Sequence, residues 1–169
     1  MASVPTAIST PTPVPTAVPS AGPAIGDACV VGTWRVVKDT LRMSFETPQG
    51  VVTVAVAGGA GELDRYFSNA TVVENLAGTA FTGAARGYRV VARFSGTLRS
   101  PVVFANGRET VEPIDSSGAR ATVSVNGSAP RVYPLASYLS LTYTCSGDAL
   151  TETDGIGDVY TYRRVSSIP

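Results

Sequence analysis

The side chains with chemical potential gather near the C-terminal end, in "YTCSGDALTETDGIGDVYTYRRV", residues 143–165. Glu152, with Tyr160 and Tyr143, forms a polar set suited to orienting a guest in an otherwise apolar pocket, and upstream Tyr88 and Phe94 supply aromatic wall. The chain has no histidine, so histidine-dependent triads and histidine-ligated zinc sites are excluded. "DGIGD", residues 154–158, lacks the ligand count and closing bidentate glutamate of a calcium loop. "GGAGE" at 58–62 carries no lysine and opens no convincing helix, so it is not a phosphate cradle. Thirteen basic residues balance thirteen acidic ones, which leaves no field to attract nucleic acid. The expectation is therefore a binding or structural module, not an enzyme, with no cofactor and no metal.

These residues must be positioned by strands. Along "RGYRVVARFSGT", Tyr88, Val90, Ala92, Phe94 and Gly96 share one face while Arg89, Val91, Arg93, Ser95 and Thr97 share the other. The same alternation runs through Ala121, Val123 and Val125 and through Leu139, Leu141 and Tyr143. Further strands are expected over 30–38, 50–57, 71–82, 101–112, 148–153 and 159–165, separated by glycine, asparagine or proline. One short helix is allowed over "ELDRYFSN". Eight to ten short strands with hairpin-length connections point to an all-β, antiparallel sandwich or up-and-down barrel.

At 169 residues the chain supports one packed core. Residues 1–26 are dense in proline and threonine and read as a disordered, semi-extended tether, so the domain is expected over 27–169. The tether lacks both a basic start and an unbroken apolar core, and no apolar run is long enough to span a membrane. Either the protein is cytoplasmic, or a signal or anchor preceded this numbering. The tether and a single cysteine pair favour the second, with an extracellular or cell-envelope location and any membrane attachment upstream.

"VVGTWRVV" contains a Gly-x-Trp pair, Gly32 and Trp34, and the last strand "VYTYRRV" carries an arginine near its end. Together with "ATVSVNG" and the terminal hairpin, this resembles bacterial lipocalin-like domains (calycin superfamily) of exported or envelope-anchored proteins. The resemblance covers 29–37 and 119–165 and is vague between 40 and 118. It implies an up-and-down barrel that binds a small apolar molecule, with Arg164 covering Trp34 to close one end by cation–π stacking. One departure from the pattern is Glu152, where such domains usually carry an apolar residue.

If the last hairpin turns over Gly155–Gly157, Glu152 lies opposite Tyr160, Leu150 opposite Tyr162 and Asp148 opposite Arg164. Arg163 should face water. Glu152 would then sit near the turn, at a hydrated rim around the barrel mouth. Tyr162 and Arg164 also resemble the carboxylate clamp of fatty-acid-binding relatives, an arrangement already occupied if Trp34 covers Arg164. Cys29 begins the first strand and Cys145 ends the penultimate one, so an up-and-down barrel brings them within one strand of each other. A disulfide between those strands, a disulfide to a neighbouring loop, and two buried thiols all remain open. Two functions remain open as well: a module binding a small apolar or amphipathic ligand in the barrel, and a filled barrel used structurally or against an envelope protein partner.

Overall fold

The computed structural model describes residues 25–76, 78–111, 118–135 and 139–169. Most of the expected tether, residues 1–24, lies outside the described residues. Ile25 is buried, its N–H donates to the Ser68 carbonyl and its own carbonyl accepts from Phe104 N–H. The packed domain thus includes residues two positions ahead of the boundary expected at 27.

The described residues contain strands and no helix: β1 (Gly32–Thr47), β2 (Gly50–Gly58), β3 (Leu63–Phe67), β4 (Thr71–Asn75), β5 (Thr79–Ala85), β6 (Tyr88–Ser95) and β7 (Thr97–Ala105), followed by β8 (Arg108–Val111), β9 (Arg120–Val125), β10 (Arg131–Pro134), β11 (Leu139–Ser146), β12 (Ala149–Thr153) and β13 (Val159–Ser166). Burial alternates along them, most regularly in β7, where Leu98, Ser100, Val102 and Phe104 face inward. The stretch that allowed a short helix holds β3 instead, because Asp64 and Tyr66 point inward on a period of two. Expected strand 101–112 is two strands joined by a tight turn at Asn106–Gly107, both at positive φ, as the twist of a two-residue hairpin requires.

Every pairing is antiparallel, and eight strands close into a barrel in the order β1-β3-β4-β7-β8-β11-β12-β13 and back to β1. The remaining five extend one side of the wall as a sheet, β1-β2-β5-β6-β9-β10. The two parts are one up-and-down meander. β1 is long enough to serve both, since Gly32–Arg35 pair with β3 while Asp39–Thr47 pair with β2. β2 and β3 are successive halves of one bent stave, as are β5 with β4 and β6 with β7. Glycine makes the bends feasible. Gly96 joins β6 to β7 at φ 101°, and a Cβ there would stand 1.8 Å from the Gly118 carbonyl oxygen. At Gly58, where β2 meets β5, a Cβ would stand 1.9 Å from the Ala80 oxygen.

One end of the barrel is sealed by the two ends of the domain. Trp34 is fully buried and its indole N–H donates to the Val30 carbonyl at 2.7 Å. The Arg164 guanidinium lies 4.1 Å from the indole centroid and donates to the carbonyls of Val31 (2.8 Å), Cys29 (2.5 Å) and Gly147. The expected Arg164 stack on Trp34 is therefore present, and Arg163 is exposed as expected. Cys29 and Cys145 form a disulfide. Their placement differs from expectation. Cys29 sits in the turn before β1, and Cys145 lies on β11, third from the end, because Gly147–Asp148 is a tight turn that starts another strand, β12. The bridge pins the segment that crosses the base to the wall.

Two apolar clusters follow from this layout. The lower packs Trp34, Tyr66, Phe104, Leu150 and Tyr162 above the base. The upper packs Val52, Val54, Val56, Phe81, Val90 and Ala92 within the extended sheet.

Candidate functional site

Between the two clusters the barrel interior is not filled. A cavity of about 150 Å³ lies there, walled by Leu76, Phe81, Phe94, Leu98, Val111 and Leu141 and by six carboxyl groups. The carboxyls come from all round the wall: Asp39 on β1, Glu62 just before β3, Asp64 on β3, Glu74 on β4, Glu109 on β8 and Glu152 on β12. Strand register explains how they converge. Glu152 pairs with Tyr160 and Tyr160 with Asp39, which makes one row across β12, β13 and β1. Asp64 pairs with both Trp34 and Glu74, which makes a second row across β1, β3 and β4, on the other flank of β1.

Glu152 is the best-served member. Tyr66 hydroxyl donates to its Oε1 at 3.2 Å and Tyr162 hydroxyl to its Oε2 at 2.9 Å. The Glu109 carboxyl lies beside it, and a hydrogen bond between two carboxyls requires one to carry the proton. Burial raises the pKa of both, but the donors around Glu152 oppose that rise, whereas the Glu152 charge adds to it at Glu109. Glu109 thus holds its proton more tightly than Glu152, whose ionised form the surrounding donors favour.

The other acids are pushed up by burial first and by their neighbours' charges second. Asp39 rises to about 8, with Glu152 the main charged neighbour, and Glu62 rises to about 9, with Glu74 and Asp39. Glu74, which still shows surface to the cavity, rises to about 7, and Asp64 goes well above its usual range. Four buried side-chain oxygens have no hydrogen-bond partner: Asp39 Oδ1, Asp64 Oδ1, Glu109 Oε2 and the Ser100 hydroxyl, the first three on acids of the cavity wall. No lysine or arginine lines the cavity among the described residues. Chemically, the site offers inward-facing acceptors and negative charge in a medium of low polarity, where each is felt strongly.

Above the cavity, the inner face of the extended sheet forms an apolar trough of about 570 Å³, lined by Met43, Phe45, Tyr88, Val90, Phe94 and Val123, with Arg42, Glu46 and Arg131 among its polar lining residues. Phe94 and Leu135 line both spaces, so trough and cavity adjoin.

Of the residues expected in a site, Glu152 and Tyr160 line the cavity, Phe94 stands between cavity and trough, and Tyr88 lines the trough, where its ring meets Phe45 edge-on. Tyr143 is not with them. Its hydroxyl donates to Asp27 Oδ2 at 2.8 Å near the base and its ring packs against Phe104. The expected hydrated rim position of Glu152 is also corrected: Glu152 is 1% exposed, because the walls on the far side rise well past the 154–158 turn. The expected pairings Glu152 with Tyr160 and Leu150 with Tyr162 are present. Tyr162 is committed to Glu152 and Arg164 to the base, so they form no carboxylate clamp. In "DGIGD", Asp154 accepts backbone N–H groups of Ile156 and Asp158, and Asp158 binds Arg42.

Asp39, Glu62, Asp64, Glu74, Glu109 and Tyr66 were not expected in a site. A signal existed for some: Glu62, Asp64 and Tyr66 alternate on one face, Glu74 keeps phase with Val72 and Glu109 with Val111, whereas Asp39 turns inward only past the bulge between Val36 and Lys38. Comparison with protein-family models, with curated proteins and with solved structures returns no match.

Proposed function

We propose that this barrel is a non-catalytic module that binds a small amphipathic ligand, its apolar part in the trough and its polar end reaching the interior cavity. The observation that carries this reading is the unfilled space itself, since an eight-stranded barrel has just enough interior to be solid and this one adjoins an apolar trough. The lack of histidine and the disulfide between the two cysteines favour binding over covalent or acid–base chemistry. The disulfide also favours an extracellular or envelope location. Two free thiols in native protein denatured without reductant would overturn that placement.

The binding reading is tested by titration with the neutral fluorophore N-phenyl-1-naphthylamine. Saturable one-to-one binding is expected, weakened at least about tenfold by Val123→Trp, which fills the trough from a half-buried position. Absence of saturable binding, or binding indifferent to the tryptophan, would sink it. A second reading, a protein-interaction module, is favoured by β10, whose outer edge pairs with no strand among the described residues and whose Val132 and Tyr133 are exposed. Under that reading the fluorophore would not bind inside.

A further inference from the structure

We infer that the ligand's polar end is a protonated amine, and that the acid-lined cavity is a receptor for an organic ammonium group. This deepens the binding reading above and rests on it. Charge sign comes first. Six carboxyls from five parts of the wall surround one space, and among the described residues no cationic side chain lines it. The nearest arginines are engaged or peripheral: Arg42 pairs with Asp158 beside the trough, Arg131 lines the trough, and Arg164 lies at the base under Trp34. An anionic guest would push these buried acids further from ionising and would leave its own charge without a partner.

Hydrogen bonding gives an independent argument. Asp39 Oδ1 and Asp64 Oδ1 are buried with no hydrogen-bond partner, each on a residue no more than 3% exposed and lining the cavity. Buried acceptors without donors destabilise a fold, and such groups in a native protein need an explanation. A primary ammonium carries three donors and no acceptor, which matches a site made of acceptors. An alcohol brings one donor, and a carboxylate brings none.

Geometry separates an organic cation from a metal ion. Among the described residues no three acidic side chains stand close enough to hold one metal ion. The carboxyls line the space from several strands, and Phe81, Phe94 and Tyr160 complete the wall, a setting in which aromatic faces also attract ammonium. The adjoining trough then takes the apolar tail.

The proton balance follows. The acids hold protons before binding, so the ammonium enters as its charged form, a carboxyl facing it gives up a proton to solvent, and the pair remains as ammonium and carboxylate. The groups that face it are the six carboxyls with the hydroxyls of Tyr66, Tyr160 and Tyr162. Binding therefore releases protons and tightens as pH rises from 5.5 to 8, while an alkylamine stays charged.

The test uses a matched set: decylamine, decanol and decanoate, measured by calorimetry on the whole chain at pH 7.5 in two buffers of different ionisation heat. The amine is expected to bind at least tenfold more tightly than the alcohol, with decanoate weakest and about one proton released per amine. Glu109→Gln and Asp64→Asn, each checked for an intact thermal transition, should each weaken decylamine about tenfold and leave N-phenyl-1-naphthylamine binding unchanged. Equal affinity for amine and alcohol, preference for decanoate, indifference to both substitutions, or displacement of decylamine by micromolar calcium, magnesium or zinc would overturn the inference. Failure of every compound, fluorophore included, would instead remove the binding reading beneath it.

Discussion

Glu152 shows what a single residue's surroundings decide. An isolated carboxylate at 1% exposure would be too costly to ionise, yet the Tyr66 and Tyr162 hydroxyls both donate to this one and the Glu109 carboxyl lies beside it. Tyr162→Phe removes the 2.9 Å bond and nothing else of size. It should lower stability by about 1–3 kcal/mol in urea melts, more at pH 8 than at pH 5, because the ionised form of Glu152 is the one that needs the donor. A loss independent of pH would mean that Glu152 is neutral throughout. The cross-strand partner of Glu152 was legible in the sequence, since Gly155–Gly157 fixes the register of a hairpin. Its depth was not. Register places a residue along its own strands but says nothing of how far other staves rise around it, and here they rise past the turn. Tyr143 misled for a related reason: its parity is inward, but it sits on the part of β11 nearest the base, where Asp27 takes its hydroxyl.

At the scale of elements, the strands were legible, and their continuity only over 71–82, where one expected strand spans β4 and β5. "AGGAG" reads as a gap between strands and Gly96 as an inner-face residue of a strand that runs on to Thr97, yet hydrogen bonding breaks at both. Physically they are bends in continuing staves, where glycine lets one backbone cross another closely enough to change direction without leaving the wall. Gly96→Ala tests this directly. Its φ of 101° disfavours any side chain, and the added Cβ would meet the Gly118 oxygen. A loss of at least about 2 kcal/mol is expected in chemical denaturation, well beyond the ordinary cost of a surface substitution. A neutral result would show that β6 and β7 can part at this point without strain. The helix allowed over "ELDRYFSN" failed because eight residues cannot establish a helical period, and the wall claimed both Asp64 and Tyr66 through pairing with β1 and β4.

The whole molecule carries its acids as a single titrating group. Asp39 moves from 3.8 to about 8, Glu62 from 4.5 to about 9 and Glu74 from 4.5 to about 7, burial being the largest cause each time. A carboxyl whose pKa rises on folding binds its proton more tightly in the native state, so its contribution is complete below the unfolded pKa near 4 and is lost as pH climbs through the folded value. The stability these acids confer should therefore be greatest at and below about pH 4 and fall as pH climbs to 9. Each tenfold gain in proton affinity on folding corresponds to about 1.4 kcal/mol, so the fall should reach several kcal/mol, with coupling making the sum smaller than the parts. Scanning calorimetry across that range checks the sign. A melting temperature that is flat or rising from pH 5 to 9 would place water or counter-charge inside the barrel.

The seal at the base has an orientational corollary. Ile25 is bonded to Ser68, Thr33 donates to the Ile168 carbonyl, and the disulfide and the Trp34–Arg164 stack lie at the same pole. Both polypeptide exits leave from the closed end, whereas the trough opens at the other. Ile25 and the C-terminal residues therefore keep clear of the opening, which stays free for a guest to enter.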